Sequence, residues 1–407
     1  MASGRASRRR FEQARTCLTS HYLHYAEAAE SLLRPSAKSV SAFFGSRQDA
    51  LAWFDAEREN LLATVNAGLS AHETAHFGFA LGRYLEWRRR LQDLLTVRTY
   101  ARDACQILGE TQNLAAAWNN LGSVLGELGR YDEAMEAHGI SFKLYQQTGY
   151  KNGQANSWSN LGLTLQKLKR YDEAFEAHET SLRLHQQTGD TNGQAATWNN
   201  LGNAFGHLKR YDEALEAHQT SIRLYQESGD TNGQAVTWNN LGLTLQKLKR
   251  YDEAFEAHET SLRLHQQTGD TNGHADAWNN LGNVFAHLKR YDEALEAHET
   301  SLRLHQETDD INGQAMAWNN IGTACRGLER STEAIASAER AITMLTQEAE
   351  WVLAGEAWGE LATTLGASGA EKSRVREAWE QSVMAYTRGG DHEAAAASRV
   401  KAESCTT

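Results

Sequence analysis

The stretch that decides the fold is residues 191–230, TNGQAATWNNLGNAFGHLKRYDEALEAHQTSIRLYQESGD. Its tryptophan belongs to a series that recurs every 40 residues, and the series comprises Trp118, Trp158, Trp198, Trp238, Trp278, Trp318 and Trp358. A fixed period of this size indicates stacked supersecondary units that share one continuous core.

Each unit is predicted to contain two helices. Apolar residues at spacings of three and four form one stripe of a first helix, and they are Ala195, Trp198, Leu201, Phe205 and Leu208. Asp212 is the expected N-cap of the second helix, and Gly229 suits the left-handed position that ends it. A single proline in 407 residues, Pro35, also favours a helical chain.

This pattern resembles the tetratricopeptide repeat, and it is carried by Trp198, Leu201, Gly202, Ala214 and Ser221. His218 departs from the pattern, because that family usually has an aromatic residue there, and Gln226 stands where proline is frequent. The 40-residue unit is similar to the long-repeat branch found in kinesin light chains and cell-polarity adaptors. The resemblance implies an all-α fold, a right-handed αα-superhelix of roughly seven to eight helix pairs, with a groove that binds a protein or peptide.

The repeat pattern divides the chain into three parts. An N-terminal helical segment is expected over residues 1–75, a repeat array over 76–395 and a frayed tail over 396–407. The repeats closest to consensus are those of residues 116–315. Towards the ends the pattern degrades, since Gly78 replaces the tryptophan and Ala338 replaces the histidine.

The segment Ser46–Gly68 resembles the stretch that joins the ATPase and winged-helix region to the repeats in bacterial NB-ARC-type (STAND) regulators. In those regulators the repeats act as a sensor arm. The sequence contains no GxxxxGK[ST] phosphate loop, so the nucleotide chemistry of that family is not carried over. Two functions therefore stay open: a protein-interaction scaffold in bacterial signalling or regulation, or a detached sensor arm that acts on a partner chain.

Composition narrows the classes of partner. The formal net charge of −11 disfavours nucleic acid, whose phosphates require lysine and arginine. No apolar run is long enough to span a membrane. Four cysteines without a CxxC pair indicate free thiols, so we expect a cytoplasmic protein.

One catalytic motif occurs, at His72-Glu73-Thr74-Ala75-His76, which matches the H-E-x-x-H helix of zinc hydrolases. In repeat phase it straddles a turn and a helix start, and no third histidine follows at the metzincin spacing, where Phe79 stands. We interpret the match as coincidence, with a zinc hydrolase as a remote alternative. No metal, cofactor or enzymatic activity is expected.

A second series of histidines recurs on the second helices, at His138, His178, His218, His258 and His298. Equivalent residues of stacked helices lie about 10 Å apart, too far to share one zinc ion. These histidines are therefore expected to pack and hydrogen-bond between helices, and a pH-sensing role stays open.

Asparagines recur on the first helix of every unit, beside the buried stripe. Because asparagine is a mediocre helix former, its repetition needs a reason. Amide side chains can hold a peptide backbone, or they can bond to one another between helices. The candidate peptide-binding residues are Asn119, Asn120, Asn160, Asn199, Asn200, Asn203, Asn239, Asn240, Asn279, Asn280, Asn283, Asn319 and Asn320.

Overall fold

The structure is a computed structural model that describes residues 2–33 and 43–405, with side chains described from residue 12 onward. Every element in these ranges is an α-helix. The chain forms two compact units, residues 1–234 and residues 235–407. Pro35 lies outside the described residues.

The first unit opens with α1 (Ala2–Leu33) and α2 (Arg47–Asn66) and continues with four helix pairs. The helices of these pairs are α3 (Ala71–Trp87), α4 (Leu91–Leu108), α5 (Thr111–Glu127), α6 (Tyr131–Thr148), α7 (Lys151–Lys167), α8 (Tyr171–Thr188), α9 (Thr191–His207) and α10 (Tyr211–Ser228). One core joins α1 and α2 to the first pair, and in it Phe54 stacks on Tyr84 at 4.6 Å. The expected boundary between residues 75 and 76 falls inside α3, so the N-terminal segment and the array meet without a linker there.

The second unit is built from the same kind of pair, beginning at the boundary helix α11 (Thr231–Lys247). The remaining helices are α12 (Tyr251–Thr268), α13 (Thr271–His287), α14 (Tyr291–Glu307), α15 (Ile311–Gly327), α16 (Ser331–Gln347), α17 (Trp351–Ala367), α18 (Lys372–Arg388) and α19 (His392–Ser404). The tail expected to be frayed is helical through Ser404, and Ala402 is buried in the C-terminal core.

The turns between helices follow the expected chemistry with one correction. Gly229 ends α10 with a φ of 75°, as predicted for a left-handed C′ residue. The predicted N-cap at Asp212 is wrong: α10 begins at Tyr211 after Arg210, and Asp212 lies in the first turn. There its carboxylate still favours the positive end of the helix dipole. The first helices do use an aspartate cap, since Asp190 accepts a hydrogen bond from the backbone N–H of Gly193.

The two helices of a repeat touch where an imidazole lies against a glycine. A Cβ placed on Gly122 would stand 2.7 Å from Cε1 of His138, and the same clash, at 2.5–2.6 Å, would occur at Gly162, Gly202, Gly242 and Gly282 against His178, His218, His258 and His298. In the first pair Arg98 occupies the histidine position and its guanidinium lies 2.2 Å from a Cβ on Gly82. The recurrent glycine therefore allows close helix approach, and the approaching group is the histidine ring.

Replacing Gly122 by alanine should destabilise the array, because His138 has no room to move in a packed core. Overpacking typically costs about 1–3 kcal/mol, which outweighs the helix propensity gained by alanine. Gly139 provides a matched control in the same repeat, since a Cβ there meets nothing within 4 Å. Gly139→Ala should raise the urea midpoint of the intact chain while Gly122→Ala lowers it. Equal shifts in the two variants would contradict the glycine–imidazole contact.

Candidate functional site

The first helices of successive repeats form one layer. They contact each other directly, α5 with α7 and α7 with α9 in the first unit, and α13 with α15 and α15 with α17 in the second. The second helices pack chiefly on first helices, of their own repeat and of the next. Within each unit the first helices are thus the more closely spaced layer, which is the inner side of a curved stack.

One side of each first helix stays accessible to solvent, and we call it the first-helix face. It consists of residues spaced by seven and four along each helix, which places them on one side. In the second unit these residues are Val236, Leu243, Lys247, Asp276, Asn283, His287, Met316, Thr323, Gly327, Glu356, Thr363 and Ala367. In the first unit they are Ala116, Ser123, Glu127, Asn156, Leu163, Lys167, Ala196, Asn203 and His207.

The first-helix face carries exposed aliphatic side chains. Val236, Leu243 and Met316 are 45%, 38% and 42% exposed in the second unit, and Leu163 is 38% exposed in the first. Scattered apolar residues are ordinary on a surface, but these recur on one face of aligned helices. The face therefore offers a row of apolar contacts between polar ones.

Two glutamates on this face reach solvent but are partly surrounded by protein. Desolvation by the surrounding protein raises the pKa of Glu356, and the charge of Asp391 raises it further, although the side chain reaches solvent. The charge of Lys247, three repeats earlier, lowers that pKa in turn. In the first unit desolvation likewise raises the pKa of the exposed Glu127, and the charge of Glu86 adds to it. Solvent access combined with desolvation is what a concave surface produces.

The first asparagine of each Asn-Asn pair faces into the protein. In the second unit Nδ1 of His258 lies 3.0 Å from Oδ1 of Asn239, and Nδ1 of His298 lies 3.0 Å from Oδ1 of Asn279. Nδ1 of His138 contacts Oδ1 of Asn119 at 3.0 Å in the first unit. These asparagines serve as acceptors that fix the imidazole of the second helix.

The second asparagine of each pair links one first helix to the preceding one. Nδ2 of Asn280 donates to Oδ1 of Asn239 at 2.9 Å, and Nδ2 of Asn320 donates to Oδ1 of Asn279 at 2.9 Å. In the first unit Asn200 donates to Oγ of Ser159 at 3.1 Å. Each of these three asparagines is half-buried, and within the described residues no hydrogen bond is formed by its Oδ1. Within each unit, oriented amide oxygens thus border the first-helix face.

The remaining candidate asparagines are distributed in the same way. Asn203 and Asn283 lie half-buried on the first-helix face itself. Asn120, Asn160 and Asn240 occupy the second position of their pairs, and Asn199 and Asn319 the first. Oδ1 of Asn319 has no partner although it is buried, because Ala338 stands where the other repeats carry the histidine.

The histidine series is buried and neutral. The five side chains are at most 1% exposed, and burial lowers the pKa of His138, His178, His218 and His258 to about 4 and that of His298 to about 3. These histidines pack and form hydrogen bonds between helices, as predicted. No group of three side chains in the described ranges could hold a metal ion.

The H-E-x-x-H motif lies wholly within the start of α3, rather than across a turn. Glu73 completes a capping box with Ser70, and this hydrogen bond lowers the pKa of the Glu73 carboxyl. The rings of His72 and His76 stack at 4.4 Å, and Nδ1 of His76 lies 2.7 Å from Oε1 of Glu27. The glutamate that would activate water in a zinc hydrolase thus caps a helix here.

The geometry within each unit defines a class, the repeat solenoids built from stacked helix pairs. The tetratricopeptide repeat family matches residues 113–187, 153–227, 233–278 and 273–347, together more than half of the chain. The chain therefore belongs to the tetratricopeptide repeat family. Comparison with curated proteins found no match.

Solved structures share this fold at low sequence identity. The quorum sensor NprR from B. thuringiensis, in its apo form, is 15% identical with a TM-score of 0.57, over 84% of this chain and 96% of that one. The STAND protein with a tetratricopeptide repeat sensor from Pyrococcus horikoshii is 13% identical with a TM-score of 0.54, over 86% of this chain and 54% of that one. Cut9–Hcn1 of the APC/C is 16% identical with a TM-score of 0.56, over 98% of this chain and 74% of that one.

Two further observations concern the chain as a whole. None of the helices in residues 2–33 and 43–405 is long and apolar enough to cross a membrane. All four cysteines carry free thiols, and Cys105 and Cys325 are buried.

The buried histidines predict that the array loses stability in mild acid. Their folded-state pKa lies below the ordinary value of 6.5, so the unfolded chain binds protons first. Stability should fall as pH drops through about 6.5 and keep falling towards about 4, where the folded array itself is protonated. The urea midpoint measured between pH 7 and 5 checks this, above the range in which most carboxylates titrate.

A pair of variants separates buried from exposed imidazoles. His298→Ala should reduce the pH dependence of the midpoint, whereas the exposed His287→Ala should leave it unchanged. A midpoint that is flat from pH 7 to 5 in the intact chain would contradict neutral burial.

Proposed function

We propose that this chain is a protein-interaction scaffold that binds an extended peptide, or an extended segment of a partner protein, along the first-helix face. The observation that carries the proposal is the combination of exposed aliphatic side chains with oriented amide oxygens on one concave surface. It acts without catalysis in this proposal, in a cytoplasmic setting of bacterial signalling or regulation.

The two kinds of group suit two parts of a peptide. Oδ1 of Asn280 and Oδ1 of Asn320 are acceptors held in place by their own Nδ2 donors, so they can receive peptide backbone N–H groups irrespective of sequence. Leu243 and Met316 differ from their counterparts in neighbouring repeats, so they supply side-chain selectivity. Each repeat advances about 10 Å and an extended chain about 3.3 Å per residue, so one repeat spans roughly three ligand residues.

Removing the aliphatic contacts should weaken binding without unfolding the array. The probe is a set of 16-residue peptides selected from a random display library on the intact chain. Leu243→Ser combined with Met316→Ser should lower their affinity about tenfold or more, because each buried aliphatic side chain contributes about 1.5–3 kcal/mol. Arg263→Ser, an exposed change on the second helix α12, is the matched control. Equal loss in both variants, or loss in neither, would place the binding site elsewhere.

The paired asparagines allow stability and binding to be separated. Asn279→Ala leaves Nδ1 of His298 buried without an acceptor and releases Nδ2 of Asn320, so it should cost about 1–3 kcal/mol of unfolding free energy. Asn320→Ala removes an amide oxygen that borders the first-helix face, so affinity should fall about three- to tenfold with little change in stability. If Asn320→Ala lowers only the urea midpoint, the amides serve the array alone.

A second candidate is favoured by the likeness to the STAND protein and by the resemblance of Ser46–Gly68. In that reading the scaffold is the detached sensor arm of an NB-ARC-type regulator and its partner is an ATPase on another chain. Purified NB-ARC-type ATPases encoded beside this chain should then change their ATP turnover when it is added. A chain that binds peptides and leaves such turnover unaltered acts as a scaffold alone.

A further inference from the structure

Two buried imidazoles lack a hydrogen-bond partner at Nε2. Nε2 of His138 and Nε2 of His218 are shielded from solvent, and no described group forms a hydrogen bond with either atom, nor with Nδ1 of His218. Both side chains are at most 1% exposed. Buried polar atoms are almost always paired, so two orphans at equivalent positions require an explanation.

The repeat between them shows what such an atom can bind. There Nε2 of Gln166 lies 3.0 Å from Nε2 of His178 and donates to the backbone oxygen of Asn200 at 3.1 Å. The second unit repeats this contact, with Nε2 of Gln246 2.8 Å from Nε2 of His258. A primary amide thus fits this place and satisfies the ring nitrogen.

In the two repeats with orphan atoms the glutamine is replaced by glycine, at Gly126 and Gly206. Close packing does not require Gly126, since an added Cβ would meet only Thr164 Oγ1 at 3.7 Å and Ala134 Cβ at 3.9 Å, which are ordinary contacts. Neither glycine has a positive φ. Glycine inside a helix is unfavourable, so its presence here indicates that the space is used otherwise. We call the space that Gln166 fills, and that Gly126 and Gly206 leave free, the vacant glutamine position.

The hydrogen-bonding state of the ring defines the ligand group. Nδ1 of His138 faces Oδ1 of Asn119, which is an acceptor, so Nδ1 carries the proton and Nε2 presents a lone pair. Nε2 of His138 therefore accepts from an N–H or O–H donor, and Nε2 of His218 does the same when its Nδ1 carries the proton. Burying a charged ammonium group beside a neutral ring would cost far more than burying an amide.

We propose that primary amide side chains of the bound peptide, glutamine or asparagine, occupy the vacant glutamine positions at Gly126 and Gly206 and donate to Nε2 of His138 and His218. Gly126 lies between Ser123 and Glu127 of the first-helix face, so a side chain from that face enters directly. The two positions are two repeats apart, about 20 Å, which corresponds to roughly six residues of extended peptide. The inference rests on the proposed function and specifies which ligands it selects.

The test fills the vacant glutamine positions with glutamine side chains of the protein itself. Gly126→Gln combined with Gly206→Gln reproduces the residue found at Gln166 and Gln246, so the variant should fold with an equal or higher urea midpoint. The probe is a random 16-residue peptide library displayed on phage and selected on the intact wild-type chain. Selected peptides should carry glutamine or asparagine at two sites about six residues apart, and the variant should bind them about tenfold more weakly.

Gln166→Gly is the matched control. It empties the space that Gln166 fills in the repeat between Gly126 and Gly206, so it should leave the affinity of those peptides unchanged or raise it. Selected peptides could show no preference for glutamine or asparagine and bind the double glutamine variant as tightly as wild type. That result would contradict amide binding at the vacant glutamine positions without contradicting the scaffold function. A wild-type chain that selects no peptide at all would overturn both.

Discussion

The contact between a histidine ring of the second helix and a glycine of the first sets the geometry on which the array depends. It brings the two helices of a pair so close that any side chain on Gly162 or Gly202 would overlap the imidazole. The ring in turn requires a partner for its Nδ1, and the first asparagine of the Asn-Asn pair supplies it in three repeats. Where Ser159 replaces that asparagine, Nδ1 of His178 is left without a partner. Glycine, histidine and asparagine thus form one connected contact in the repeats of His138, His258 and His298.

This arrangement separates two tasks on one helix. Asn239 and Asn279 are acceptors for a buried ring and for the following asparagine, so their amides serve the array. Asn280 and Asn320 donate to that layer and keep an oxygen at the edge of the concave face. The residues that vary between repeats, such as Leu243, Asn283 and Thr323, lie one turn further on. Selectivity can therefore change from repeat to repeat while the stack stays constant.

The sequence predicted most of the fold because a repeat makes each local signal occur many times. The two helices of each repeat and the left-handed Gly229 followed from the repeat pattern. The boundaries were less predictable. Asp212 was mistaken for a cap, and the tail was expected to begin at residue 396, which lies inside helix α19 (His392–Ser404). The same residue types occur at the N-cap and in the first turn of a helix, so residue spacing cannot distinguish the two positions. The division of labour within each Asn-Asn pair was not predictable either, since it depends on which neighbour each amide reaches. The role of Gln166 was missed, although its alternation with Gly126 and Gly206 was visible as a signal.

The central claim is that the layer of first helices binds the ligand and the layer of second helices supports it. Amide hydrogen exchange of the intact chain, with and without a library-selected peptide, measures this most directly. Binding should slow exchange in the first helices, α5, α7 and α9 or α11, α13 and α15, and leave α6, α8, α12 and α14 unchanged. Slowing confined to the second helices, with the first helices unaffected, would contradict the account.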